Sequence, residues 1–207
     1  MEAIRQLLEQ NRKWAQDREQ QDPGCFARQS KSQAPKFLWI GCIDSRMPAE
    51  QLTGMEPGDM LVYRNIANQV NPKDTSIMAA IQFAVDALQI DHIVITGHTN
   101  CGGISAAIKG QVTDDLQTWL NPLQELNSEY GEELGHCGCH DEKVDHLCEI
   151  NIKKQVLNVA ETEVVQNAWK RGQKLSIHGC IYDVASGELR TMGIHVSGPD
   201  GAESFTF

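Results

Sequence analysis

Short apolar runs alternate with stretches of helical periodicity along most of the chain. "KFLWIGCID" (36–44) follows Pro35 as a nearly unbroken apolar run and predicts a buried strand. "DMLVYRNIAN" (59–68) holds a second strand and "DHIVITGH" (91–98) a third. Between them, "DTSIMAAIQFAVDALQI" (74–90) repeats its apolar positions at helical spacing, with Asp74 or Thr75 placed to cap the start. Residues 144–172 read as one or two helices closed by Gly172. "QKLSIHGCIYDV" (173–184) and "GELRTMGIHV" (187–196) are expected to be strands four and five, joined through a turn at "ASG". The polar, weakly patterned region 111–143 is expected to be a helix plus a surface excursion.

This order predicts an α/β fold with a mainly parallel central β-sheet flanked by helices. In such sheets ligands bind outside the carboxyl ends of the strands. Two strands end in metal-binding side chains, the first in Cys42 and the third in His98. The N-terminal stretch has Ile4, Leu7, Leu8 and Trp14 at helical spacing. Residues 1–30 are therefore expected to form a helical arm on a single domain spanning 1–207. A chain of 207 residues is long enough for one domain with a full core.

Charge and cysteine usage narrow the function classes. The net charge of -10 argues against nucleic acid, which wants a basic face, and against an anionic membrane surface. No apolar stretch reaches the roughly 18 residues of a membrane-spanning helix, and the N-terminal stretch lacks a signal-peptide core. Seven cysteines (25, 42, 101, 137, 139, 148 and 180) are an odd count, expected to be reduced thiols in a cytoplasmic setting.

"GCIDSRMP" (41–48) and "GHTNCGG" (97–103) carry the candidate chemistry. Cys42, His98 and Cys101 offer sulfur and nitrogen ligands suited to tetrahedral zinc, and Asp44 offers a carboxylate. Arg46 can hold that carboxylate through two parallel hydrogen bonds. Held, Asp44 faces a zinc-bound water; released, it can join the zinc as a fourth ligand and close the site. Taken singly, a strand-end cysteine is more often a small buried hydrophobe, and an Asp-Arg pair is often a loop ion pair. Together they favour zinc. Glycine at 102 and 103 leaves room for backbone amides to approach a substrate oxygen.

"CIDSR", "RNIAN" (64–68) and "GHTNCGG", in this order and spacing, resemble the β-class carbonic anhydrases. The resemblance is strong over residues 33–108 and looser through "AWKRGQKLSIHG" (168–179). It implies one zinc per chain on Cys42, His98 and Cys101, with Asp44 and Arg46 as a catalytic dyad. The implied reaction is reversible hydration of carbon dioxide to bicarbonate and a proton, with zinc hydroxide as nucleophile. Gln33 would hydrogen-bond the substrate. Ile66 and Phe83 would wall its pocket or serve as ordinary core. Trp39, Arg64 and Tyr182 match a triad that holds a non-catalytic, inhibitory bicarbonate in one subgroup. A homodimer or homotetramer is implied, with the N-terminal helix clasping a neighbour. Two thiolates cancel the zinc charge, so bound water should be less acidified than the ~7 of a three-histidine site, and activity should rise toward alkaline pH.

Two other readings stand beside this one. The same site would serve a carbonyl sulfide or carbon disulfide hydrolase. Separately, "HCGCHDEKVDHLC" (136–148) clusters His136, Cys137, Cys139, His140, His146 and Cys148, as a metal-buffering or redox-sensing protein would. Its irregular spacing favours a flexible loop with incidental ligands.

Overall fold

The structure, a computed structural model, describes residues 1–199. It divides into two units, Met1–Ala34 and the chain from Pro35 onward. The first unit is helical: α1 (Glu2–Gln21) and the short α2 (Cys25–Gln29). Within it the Trp14 and Phe26 rings meet edge to face at 5.8 Å. Ile4, Leu7 and Leu8 of α1 are all exposed, leaving an apolar stripe in solvent.

The second unit is built on a five-stranded sheet: β1 (Phe37–Cys42), β2 (Met60–Asn65), β3 (His92–His98), β4 (Ser176–Asp183) and β5 (Glu188–Val196). The spatial order is β2-β1-β3-β4-β5. The first four strands run parallel, and β5 returns antiparallel to β4. Each coincides with a strand expected from the apolar runs. The connections carry α3 (Ala49–Thr53), α4 (Thr75–Gln82), α5 (Gly102–Lys109), α6 (Asp114–Glu129), α7 (Gly131–Leu134), α8 (His140–Ala160) and α9 (Glu163–Lys170). Asp74 is the cap of α4: its carboxylate accepts from the Ser76 amide at 2.9 Å.

Alternation along the strands sorts side chains to two faces. Leu38, Ile40, Ile93, Ile95, Ile177 and Ile181 share one core with Ile152, Val156 and Val159 of α8. The fit is tight at Gly97, where a Cβ would lie 2.8 Å from Ile152 Cδ1. The opposite face carries Trp39, Val94 and Tyr182, packed with Met47 and Met60.

The region 111–143 departs from the expected surface excursion. It forms α6 and α7, and Leu120, Leu123, Leu126 and Leu134 are buried. Leu120, Leu123 and Leu126 recur every three residues on one face of α6, a pattern that the polar average of the segment conceals. The 136–148 segment is likewise not a flexible loop, because α8 starts at His140, earlier than the expected 144. The Cys139 sulfur accepts from the Glu142 amide at 3.5 Å and caps that helix.

Candidate metal centre

The site forms where β1 and β3 end side by side, with Gly41 in register with Thr96. One strand delivers Cys42 and the other His98. After β3 the chain is pinned on two sides. The Thr99 amide donates to the Tyr182 carbonyl at 3.0 Å, and the Val184 amide donates to the Thr99 hydroxyl at 3.0 Å. The Asn100 amide donates to the Asp145 carboxylate at 2.7 Å. Asn100 sits at φ +54°, a left-handed conformation that asparagine tolerates better than most residues. The tight turn brings Cys101 back as the cap residue of α5.

One ligand atom each from Cys42, His98 and Cys101 lies within 4.8 Å of the others, and all three residues are buried. His98 Nδ1 donates to the Thr99 carbonyl at 2.9 Å. That bond places the proton on Nδ1 and leaves Nε2 with a lone pair. Nε2 is buried and has no hydrogen-bond partner, an arrangement that suits a metal ion accepting its lone pair. Both thiols are pushed up to about 12. For Cys42 the main cause is its hydrogen bond with Cys101, followed by burial. For Cys101 the main cause is its hydrogen bond with Cys148. Only a cation placed among them would make thiolates favourable here. Two thiolates and one imidazole are a donor set that zinc takes readily.

Asp44 stands beside this group, outside it. Its Oδ1 accepts from the Arg46 amide (3.0 Å) and Nε (2.9 Å), and Oδ2 accepts from Nη2 at 2.7 Å. These bonds to Arg46 hold the carboxyl well below the usual carboxylate range. Oδ2 lies 3.8 Å from His98 Nε2. The loop itself is braced by Arg64, which donates to the carbonyls of Cys42 (2.8 Å) and Asp44 (2.5 Å).

The remaining expected residues fall at different distances from this centre. A Cβ on Gly103 would sit 2.7 Å from Ile66 Cγ2, whereas one on Gly102 would meet open space. Ile66 follows β2 in a short turn, Ile66–Asn68, whose Ala67 and Asn68 have left-handed backbones, and packs on the cluster that contains Cys42 and Cys101. Phe83 is half exposed, at 50%. Trp39 and Tyr182 share a buried cluster, and Trp39 Nε1 has no hydrogen-bond partner. Gln33 belongs to the N-terminal unit, where it is exposed. The 136–148 side chains disperse. His140 meets Ser105 Oγ at 2.9 Å and His146 pairs with Glu133 at 2.5 Å, while Cys148 is buried beside Cys101. Among the described residues, Cys42, His98 and Cys101 are the one group of three or more side chains that converges as metal ligands. Thr99 and Asp145, which fix the turn, were not singled out by sequence; an acid at 145 has no local signal.

An open parallel sheet with soft ligands on adjacent strand ends, beside an arginine-held carboxylate, defines a mononuclear metal-enzyme site. Comparison with known proteins names the family. The carbonic anhydrase family model matches residues 37–189. A carbonic anhydrase of Emericella nidulans is 34% identical over 192 residues, covering 93% of this chain and 84% of that protein. The β-carbonic anhydrase CafA of Aspergillus fumigatus superimposes with a TM-score of 0.91 at 37% identity, covering 98% of this chain and 96% of the other. One of two tetrameric β-carbonic anhydrases of Sordaria macrospora does so with 0.91 at 34% identity, covering 95% and 100%. The chain belongs to the β-carbonic anhydrases.

Proposed function

We propose that this chain catalyses zinc-dependent reversible hydration of carbon dioxide to bicarbonate and a proton. The observation that carries the reading is the buried, unpartnered His98 Nε2 within 4.8 Å of two thiols and 3.8 Å from the Asp44 carboxylate. Cys42, His98 and Cys101 hold the ion, one per chain. Bound there, zinc would supply a Lewis acid that acidifies a bound water, less strongly than a three-histidine site does.

The protein's own groups supply orientation. Asp44 stays ionised, because Arg46 occupies both of its oxygens. It therefore acts as a hydrogen-bond acceptor for the attacking water rather than as an acid. Oδ2 is the oxygen facing His98, so it is the one that orients the nucleophile. Ile66 and the open space above Gly102 offer carbon dioxide a small, partly apolar approach. Phe83 is proposed to wall the substrate pocket, and Gln33 to hydrogen-bond the substrate, as family membership implies. Trp39, Arg64 and Tyr182 are proposed as a bicarbonate-responsive site, supported by the orphaned Trp39 Nε1.

The exposed stripe of Ile4, Leu7 and Leu8, and the tetrameric relatives from Sordaria, support a homodimer or homotetramer clasped through α1. Seven free thiols suit a cytoplasmic setting. The test is stopped-flow hydration across pH on protein of measured zinc content, with carbonyl sulfide and carbon disulfide assayed alongside. The proposal requires carbon dioxide to be the fastest substrate, with activity that tracks zinc content and rises toward alkaline pH.

A further inference from the structure

We propose that His92 and His178 form a second metal site, a two-histidine chelate for a borderline divalent ion such as Ni²⁺ or Zn²⁺. It lies on the sheet face opposite α8. Parallel pairing sets His92 against Ser176, so His178 is its diagonal neighbour on the same face. His92 Nδ1 and His178 Nε2 lie 3.2 Å apart, and the ring centroids are 5.2 Å apart. Two imidazoles bound to one ion at about 2.0–2.1 Å, with ordinary angles, put their nitrogens about 2.9–3.4 Å apart. The pair already has nearly that spacing.

The rings are held from both sides. Phe37 stacks on His92 at 5.2 Å and 23°, and His195 stacks on His178 at 5.9 Å and 16°. Burial, with the neighbouring His92 and His195, pushes the His178 imidazole down, so its lone pair is available at neutral pH. In the metal-free pair, one facing nitrogen donates its proton to the other. Binding requires that proton to move to the far nitrogen of its own ring, a tautomer change with no net proton release. Beside the pair runs a 390 Å³ groove bordered by Phe37, Val94, Cys180 and Thr191, with room for water to fill the remaining coordination positions. His92 opens β3 and His98 ends it, so the two metal sites are about 20 Å apart along the strand.

The experiment titrates Ni²⁺ into the zinc-loaded, full-length protein by isothermal calorimetry. One further Ni²⁺ per chain is expected. His92→Gln or His178→Gln should weaken it by about 10-fold or more, with zinc content unchanged, while His146→Gln, which removes the imidazole paired with Glu133, should leave it unaltered. Should either glutamine variant fail to fold, the wild type decides: Ni²⁺ must shield His92 and His178 from diethyl pyrocarbonate, read by peptide mass mapping. Absence of the extra Ni²⁺, binding that survives both substitutions, loss in His146→Gln, or absence of shielding overturns the site.

Discussion

Arg46 holds both carboxylate oxygens of Asp44, through Nε at 2.9 Å and Nη2 at 2.7 Å, and so keeps Oδ2 at 3.8 Å from His98 Nε2. The separation is short enough for a released carboxylate to turn toward a cation on His98. Arg46→Ala should therefore retain zinc yet lose about 100-fold in kcat/KM, the usual scale for losing a positioned proton-handling group. Stopped-flow rates and metal analysis on the same sample check this. Zinc loss in step with activity would mean that Arg46 only holds the loop together.

The ligand set makes a stability prediction. His98 Nε2 has no hydrogen-bond partner and both thiols resist ionisation, so the apo site contributes little by itself. Metal binding to the folded form should then appear as folding stability. Chelation should lower the thermal midpoint by several degrees, about 4 °C or more if the site is worth at least 2 kcal/mol. Cys42→Ser should match the chelated wild type whether or not zinc is present. Calorimetric scans of the four samples decide it, and a substituted protein still stabilised by zinc would refute the ligand assignment.

How far the sequence disclosed this site depends on the kind of signal. The central strands β1 and β3 showed as apolar runs because buried parallel strands leave little room for polar residues, as in Ile93 and Ile95. Cys42 and His98 were legible because each closes such a run. Asp145, which pins Asn100 from 45 residues away, was not, since a lone acid in a helix looks like any solvated one. The fate of 136–148 was also hidden. Counting ligands there overstated the chemistry, because helix geometry sends Cys139 outward and Cys148 inward to Cys101. Leu120, Leu123 and Leu126 were obscured by polar neighbours in a helix buried along one face.

The proposed bicarbonate site can be separated from loop bracing. Arg64 binds the Cys42 and Asp44 carbonyls, so Arg64→Ala disturbs the centre whatever else it does. Trp39→Phe removes the orphaned Nε1 donor, together with part of the buried indole volume, and leaves the Arg64 bracing bonds in place. Inhibition by bicarbonate at low pH should weaken in both variants, by about 10-fold in Trp39→Phe if one hydrogen bond to the charged anion is lost. Unchanged inhibition constants in both would sink the regulatory role.

His178 also predicts how stability changes with pH. It faces His92 on β3 and His195 on β5, with Cys180 two residues along its own strand. Burial first, then those two imidazoles, lowers its pKa in the folded protein. In the unfolded chain a histidine titrates near ~6.5. Between the two values the unfolded state holds more protons, so stability falls as pH drops through about 6.5 and levels off below the folded pKa. Above about 7.5 His178 is neutral in both states and this sensitivity vanishes. Urea midpoints at pH 7.5 and 5.5 should therefore separate more in the wild type than in His178→Gln, where the acid-sensitive group is gone. Equal separations would show that the imidazole cluster does not couple protonation to folding.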